Sequence, residues 1–565
     1  MISAAFETFV SQRKVSLMLS NKVTHYRSSP ATILRFLITV VLVLGIFFRF
    51  ANIDRKVYWI DETFTSLRVS GYTESEIVKN LSDAHLINID ELQKYQRPNP
   101  EKGLIDTNNS MVLEDPHHPP LYYLMARFWA QAFGSSVAAM RSLPVLISLL
   151  ALPCIYWLCL ELFNSSLTGW IAVALVAISP FHVLYAQEAR PYSMWTVTTL
   201  LSSAALLRAI RLKTNASWAI YAVTLVTGFY TYLFSGLVAA GHGIYVVIIE
   251  KFRLTKTLTA YLVAIFFSII AFLPWIWVLI TNLSQAKSAT DWTVAAKLSL
   301  LQLLLSWAET LRVPFVDLQW DLLNSSIYRG VLRFSDLLIL LLVGYSLYLL
   351  CRKTHKRTWL FILTLIGVTA LVLILPDVAL GGFRSLVPRY LIPCYLGVQL
   401  ACAYLLATKL TGISGRLQQQ KLWQLIMAVL VSASVLSCTI SVPAEVTWSK
   451  ELGQNIPPVA RILNNSTSPL LIGSPTASEL LSLSYLADAK LKLLVEPRCR
   501  IDCVNYKPEY KRYIPNIPPG FSDVFLFKGG SYEKWFNILE KELSYKLKPV
   551  SSQSKEVWLW KVEKQ

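Results

Sequence analysis

Four short stretches of this 565-residue chain carry side chains that can do acid–base or anion chemistry. Residues 57–67, VYWIDETFTSL, place Asp61 and Glu62 between Tyr58, Trp59 and Phe64, just beyond a long apolar run. EDPHHPP, residues 114–120, holds the pair His117 and His118. QEARPY, residues 187–192, holds Gln187, Glu188, Arg190 and Tyr192. FRSLVPRY, residues 383–390, holds Arg384, Arg389 and Tyr390. Aromatic rings favour the headgroup level of a membrane, where a carboxylate is repelled by lipid phosphates unless cations compensate it. A carboxylate within reach of a hydroxyl can take its proton, and a guanidinium can bind phosphate oxygens in a bidentate fork. Asp61 is therefore expected as a base, with Glu62 and Glu188 as further acids of the site. Arg190, Arg389, Tyr192, Tyr390 and His118 are expected to bind substrate.

Plainer readings stand beside these. Asp61 can cap a helix that begins at Glu62, and Glu62 can be a supporting acid in its first turn. Arg190 can snorkel to the interface, Arg389 can anchor a helix start, and Tyr192 and Tyr390 can be belt aromatics. The histidines can pack against the prolines that follow them.

The elements that position these residues are membrane spans. The chain is 54% hydrophobic and 16% charged, which excludes a soluble core of this length. Its net charge of +18 lies in short clusters between apolar runs, a pattern that suits anionic lipid heads rather than nucleic acid. The sequence shows no repeat, low-complexity tract, Gly-rich phosphate loop or nucleic-acid module. Apolar runs near 33–50, 143–163, 170–185, 193–210, 218–234, 236–249, 258–280, 332–350, 359–375, 390–406 and 422–440 predict about eleven transmembrane helices. The basic stretch before the first run is longer than a signal-peptide n-region and lacks a cleavage pattern after it, so it reads as a cytoplasmic leader.

Residues 121–132 decide the topology. Leu121, Leu124, Met125, Phe128, Trp129 and Ala132 share one helical face, with Tyr122, Tyr123, Arg127 and Gln131 on the other. This predicts an interfacial helix lying flat. The basic clusters at 208–213, 251–256, 352–357 and 409–421 then fall inside with the leader, as the positive-inside rule requires. Residues 51–141, 187–192, 282–329, 376–389 and the tail beyond 441 fall outside. The short apolar stretch 298–307 also reads as interfacial.

Two parts follow: a transmembrane module, 1–440, whose first outer loop is 51–141, and a small α/β domain, 441–565. In the tail, strands are expected at 469–472, 491–495, 524–527 and 557–562, with an amphipathic helix through Tyr532, Trp535, Phe536, Leu539 and Leu543. Cys499 and Cys503 can pair if the tail faces an oxidising compartment. The other six cysteines lie in or beside apolar runs, as small hydrophobes do.

An acidic pair after the first helix, HPPLYY opening an interfacial helix, YAQEARPYS at the next outer turn and PRYLIP entering a late helix together resemble the GT-C membrane glycosyltransferases. The resemblance is nearest to glycosyltransferase family 39, with its protein O-mannosyltransferases and lipid A aminoarabinose transferase. It covers roughly the first 410 residues in organisation. It implies a mainly α, GT-C-type helix bundle that moves a sugar from a polyprenyl-phosphate carrier to an acceptor protein, lipid or glycan on the outer face. It further implies that the position of Asp61 is the base and that those of Glu188 and Arg190 shape the site. The chain departs in carrying His-Pro-Pro where the aminoarabinose transferase has Lys-Pro-Pro, which leaves a phosphate-contact role for His117 or His118 open. Attack opposite the leaving phosphate would invert the anomeric centre. No cofactor is certain; a divalent metal on Asp61, Glu62 and Glu188 can replace part of the cationic clamp, although their spacing is no metal signature. The alternatives are a lipid-linked glycan transporter or flippase, a glycan polymerase or ligase, and a scaffold displaying the tail. A transporter would place ionisable groups at the bilayer midplane, where these runs are apolar.

Overall fold

The computed structural model describes residues 30–82, 85–318, 326–411, 417–500, 503, 517–528, 532–550 and 557–564. The basic leader lies outside them. An N-terminal unit, residues 1–40, contributes among its described residues the first part of the helix Pro30–Phe50.

Each predicted apolar run is helical, and the protein is a polytopic, mainly helical membrane protein. Among the described residues six helices are long and apolar enough to cross a membrane, or seven if one bent pair counts as a span. That pair corrects the run 170–185, expected as one helix: Ser166–Ala177 and Pro180–Ala186 meet at 58°. Pro180 supplies no N–H and crowds the preceding turn, so the ladder breaks there. The freed carbonyls of Val176 and Ala177 accept hydrogen bonds from the buried guanidinium of Arg49, the former at 3.2 Å, while Arg49 Nε donates to Ser148 Oγ at 3.1 Å.

The helix Leu121–Phe133 is where expected, but its faces are used in the opposite sense. Tyr122, Tyr123 and Arg127, expected toward water, are buried in the protein, and Phe128 on the apolar face is exposed. Arg127 reconciles polarity with burial by donating to Val69 O at 2.8 Å and Thr107 Oγ1 at 3.0 Å. The stretch 298–307 forms a short helix, Leu300–Arg312, with a Ser299–Gln302 capping box and exposed Leu300, Leu301, Leu304 and Leu305.

The tail forms the expected strands. Of the six in the sheet, β1 (Ile87–Asn88) comes from the first loop, and β2 (Pro469–Gly473), β3 (Lys492–Val495), β4 (Asp523–Phe527), β5 (Tyr545–Pro549) and β6 (Leu559–Lys564) from the tail. Their order is β1-β3-β2-β4-β6-β5, with β2 parallel to β3 and β4 and the other pairs antiparallel. Strand alternation sends Leu471, Leu493 and Phe525 to one core and Leu470, Ile472, Leu494 and Leu526 to another. The first of these cores also contains Val57, Trp59, Leu67, Ile77 and Leu92, so loop and tail share one hydrophobic interior. Cys499 and Cys503 form a disulfide.

At this junction lies the helix Ile60–Ser70, buried on most sides and closed by Gly71 at φ +87°, whose N–H bonds back to Arg68 O. A left-handed cap of this kind is glycine's usual place. Glu62 points from this helix into the interior and is fully buried. Arg141, in the span Val137–Phe163, donates Nε and Nη2 to its two oxygens, each at 2.7 Å. Lys450 of the tail donates to Oε2, and the N–H of Ala189 to Oε1 at 2.9 Å. Burial alone would raise the Glu62 pKa, but Arg141 and Lys450 outweigh it and hold the carboxyl well below its ordinary range.

Removing the shared anion leaves two buried cations facing each other. Glu62→Ala is expected to cost about 3–5 kcal/mol, and Lys450→Met less, because Arg141 keeps its partner. Denaturant or thermal unfolding of the detergent-solubilised protein checks the order; a Lys450→Met protein less stable than Glu62→Ala would show that the ion cluster is not what joins tail to bundle.

Candidate functional site

Consecutive helix residues point about 100° apart, and this separates the acidic pair. Glu62 turns inward, while Asp61 faces a cavity of about 990 Å³. The helix begins at Ile60 with Trp59 in the cap position and no side-chain cap bond, so Asp61 is not spent on capping. Among the described residues no hydrogen bond reaches its carboxylate; its nearest cation is Arg389, with Nη2 at 4.0 Å from Oδ2. Burial pushes the Asp61 pKa up, but Arg190 and Arg389, helped by Arg500, pull it below the usual carboxylate value. Asp61 therefore stands ionised in the cavity.

The QEARPY turn between Pro180–Ala186 and Tyr192–Leu212 uses each residue differently. Gln187 donates Nε2 to Phe48 O, Arg49 O and Ala51 O at 2.8 to 3.3 Å and accepts Lys56 Nζ at 3.0 Å, tying off the end of the first helix. Glu188 Oε1 accepts the Trp59 indole N–H at 2.8 Å, and its buried Oε2 has no partner among the described residues. Burial, with Glu62 and Asp61 nearby, pushes Glu188 up to about 7 against the opposing pull of Lys450 and Arg389. Arg190 donates Nη1 to Asp61 O at 3.2 Å and to Thr65 Oγ1 at 3.3 Å.

Arg190 Nη2 lies 2.8 Å from His118 Nε2. A guanidinium cannot accept, so His118 Nε2 is the acceptor and its Nδ1 carries the proton. That proton meets Asp115 Oδ1 at 2.7 Å. The chain Asp115–His118–Arg190 thus aims the guanidinium through a neutral imidazole, whose pKa burial lowers.

Arg389, in the short turn Pro388–Leu391, completes the cationic wall. Its guanidinium lies over Trp292 at 5.4 Å, Tyr390 at 5.6 Å and Tyr192 at 6.0 Å. Tyr192 also lies 5.9 Å from Arg190, so one buried ring flanks both arginines. Cation–ring contact of this kind stabilises a guanidinium that gives up water.

Of the expected residues, Asp61, His117, His118, Arg190 and Arg389 line the cavity together. Tyr192 and Tyr390 support the arginines from behind. Glu62 and Glu188 are not on the wall, and Arg384 turns away to pair with Asp377 at 2.8 Å. With Glu62 saturated, Asp61, Glu62 and Glu188 do not form a ligand set; among the described residues the group whose donor atoms converge is Asp115, His117 and His118. Asp115 was within the quoted EDPHHPP motif, two residues before His117, a visible signal. Lys450, Trp448 and Arg500 also reach the cavity or its support from the tail, where nothing in the sequence marked them, and so does the disulfide, whose pairing but not its place at the cavity was legible.

Residues 117–277 match the family described as dolichyl-phosphate-mannose-protein mannosyltransferase, a segment running from the histidine pair through the QEARPY turn. No curated protein matches the chain in sequence. Among solved structures, ArnT from Cupriavidus metallidurans bound to undecaprenyl phosphate is similar at TM-score 0.52 and 11% identity, covering 94% of this chain and 98% of that one. The apo form of ArnT from the same organism gives TM-score 0.51 and 12% identity over the same shares. At these identities the likeness speaks for the fold. The family segment thus passes through the site, and the chain shares the fold of these solved structures around it.

Proposed function

We propose that the protein transfers a sugar from a polyprenyl-phosphate carrier to a hydroxyl of a protein, lipid or glycan at the extracytoplasmic face. One observation carries this reading: the unengaged Asp61 carboxylate and the guanidiniums of Arg190 and Arg389 share a single cavity. The binding of undecaprenyl phosphate by ArnT supports the choice of carrier. The sidedness rests on the basic clusters at 208–213, 251–256 and 352–357, which lie at the helix ends opposite to those that build the site.

In this mechanism the two arginines hold the phosphate oxygens and stabilise the charge that grows as the glycosidic bond breaks. Asp61 takes the acceptor's proton as the new carbon–oxygen bond forms. The phosphate leaves as an anion and needs no proton, so one carboxylate suffices where glycoside hydrolases use two. Attack from the side opposite the phosphate inverts the anomeric centre. Donor binding also tunes the base: a phosphate between the arginines neutralises the field that depresses Asp61, and its basicity rises when a sugar is present to be transferred. Glu188 acts from outside the cavity, holding Trp59 on its wall.

Asp61→Asn is nearly isosteric and is expected to lower transfer by about 10²–10⁴-fold with an unchanged melting temperature; normal turnover with a polyprenyl-phosphate sugar removes the base assignment. Arg190→Ala is expected to raise the donor KM while leaving the acceptor KM in place, and equal weakening of both argues against a phosphate contact. Glu188 supplies a pH test. Its folded pKa near 7 lies above the unfolded carboxyl value, so the stability it contributes is complete below about pH 4 and is lost as pH rises through 7. Glu188→Gln should flatten the fall in melting temperature across that window; an unaltered slope would show that Glu188 is ionised throughout.

A further inference from the structure

We infer that Arg500, bracketed by the Cys499–Cys503 disulfide, binds the phosphate as it leaves, so that the cavity holds the departing polyprenyl phosphate in preference to the intact donor. This role rests on the polyprenyl-phosphate reading given above. Three guanidiniums, those of Arg190, Arg389 and Arg500, share the cavity wall with Asp61. The other acids on that wall do not offset them. Glu114 pairs with Arg68 at 2.8 Å, Asp115 accepts the His118 proton, and Glu451 is exposed to water. Burial pushes Glu74 up to about 8, so at pH 7 it is mostly protonated. Against ionised Asp61, the three guanidiniums leave two positive charges unmet.

A polyprenyl-phosphate sugar is a phosphodiester and meets one of those charges. In transfer the bond from the anomeric carbon to the phosphate oxygen breaks and that oxygen keeps the electron pair. The acceptor oxygen bonds to the same carbon, and Asp61 takes the acceptor's proton. Negative charge thereby moves from Asp61 to the phosphate, which becomes a monoester. With a second pKa of about 6, a monoester carries close to two negative charges at pH 7. Two guanidiniums suit the donor, and the third suits the charge that appears only as the bond breaks. Such a contact lowers the barrier, because it is stronger in the transition state than in the bound donor.

The backbone around Arg500 is held while its side chain is left unengaged. Arg498 N–H bonds to Pro475 O at 3.0 Å and Arg498 O accepts Ala477 N–H at 2.9 Å, which fixes the chain entering Cys499. Arg500 N–H donates to Glu74 Oε1 at 3.0 Å, and Glu74 N–H donates to Glu114 Oε2 at 2.7 Å, so this piece of the tail is seated on the first loop. Protonated Glu74 accepts that bond without becoming a counter-anion. Among the described residues no hydrogen bond or ion pair engages the Arg500 guanidinium, and both cysteines of the disulfide line the cavity beside it. The disulfide is therefore a positioning device for a cation. The downward pull of Arg500 on the Asp61 pKa agrees with a charge directed into the cavity.

The full-length protein in detergent at about pH 7, where the monoester is mostly doubly charged, is titrated calorimetrically with undecaprenyl phosphate and with undecaprenyl methyl phosphate, a diester with the donor's charge. The expected result is that the wild type binds the monoester at least about tenfold more tightly than the diester. Arg500→Gln should bring the two affinities close to parity by weakening the monoester, with diester affinity and melting temperature unchanged, and Arg500→Lys should restore part of the preference. Reducing the disulfide, or combining Cys499→Ser with Cys503→Ser, should also lower it. An unchanged preference in folded Arg500→Gln protein overturns the assignment, and so does equal weakening of both lipids, which would make Arg500 a general anion contact. A preference that survives reduction overturns the positioning role of the disulfide alone. If the wild type binds neither lipid, the polyprenyl-phosphate reading falls and takes this role with it. If Arg190→Ala weakens both lipids while Arg500→Gln changes nothing, only the role of Arg500 falls.

Discussion

One buried carboxylate governs the geometry of this site. Glu62 has no access to water, and an anion in that position is tolerated because every lone pair facing the protein is claimed. Its partners come from three separate places: Arg141 from the span Val137–Phe163, the Ala189 N–H from the turn that carries Arg190, and Lys450 from the tail. None of the three can shift without leaving charge or a polar group uncompensated in a low-dielectric interior. Asp61, one residue earlier, inherits this rigidity. Its backbone is fixed by its neighbour's ion pairs, and its side chain remains free for the cavity.

The cationic wall obeys a complementary rule. Two guanidiniums near one ionised carboxylate would ordinarily collapse into salt bridges and close the site. Here Arg190 is occupied by Asp61 O, Thr65 and His118, and Arg389 lies against Trp292, Tyr390 and Tyr192. These contacts absorb part of each cation's desolvation without supplying a counter-anion. The charge is left for a ligand, and the depressed Asp61 pKa is the electrostatic trace of that unmet demand.

Legibility followed the range of the forces involved. Helices are written in local hydropathy, so the apolar runs were readable as helices although only six or seven of the described helices are long and apolar enough to span, and so were four tail strands, whose short apolar runs sit between turns. The chemistry-bearing motifs could be grouped because membrane topology places their loops together. Lys450 could not be found: it meets Glu62 across 388 residues, and an isolated lysine in a polar tail is indistinguishable from a solvated one. The two-residue strand β1 carries no pattern at all. The helix Leu121–Phe133 misled for a physical reason, since its tyrosines and arginine read as a wet face yet are buried with their own partners, and in a membrane protein the apolar face can be the outer one. The bend at Pro180 was visible as a proline within an apolar run, but its tolerance depends on Arg49 from another helix.

Under the proposed function, the His-Pro-Pro sequence supplies by other means what a lysine would supply directly. A lysine at the position of His118 would bring its own ammonium to an anion as a point charge. An imidazole hydrogen-bonded to Asp115 on one side offers a lone pair on the other, and what it engages is a guanidinium. The cation is then Arg190, carried by a different loop, and His118 sets its direction rather than touching phosphate in the resting state. Direction matters more for arginine than for lysine, because a planar fork binds two oxygens only when it faces them. The Asp115–His118–Arg190 chain therefore relocates positive charge from the first loop to the QEARPY turn, next to the Ala189 N–H that Glu62 holds. Asp61 and Arg190, the proposed base and phosphate-binding group, end up referenced to the same buried anion.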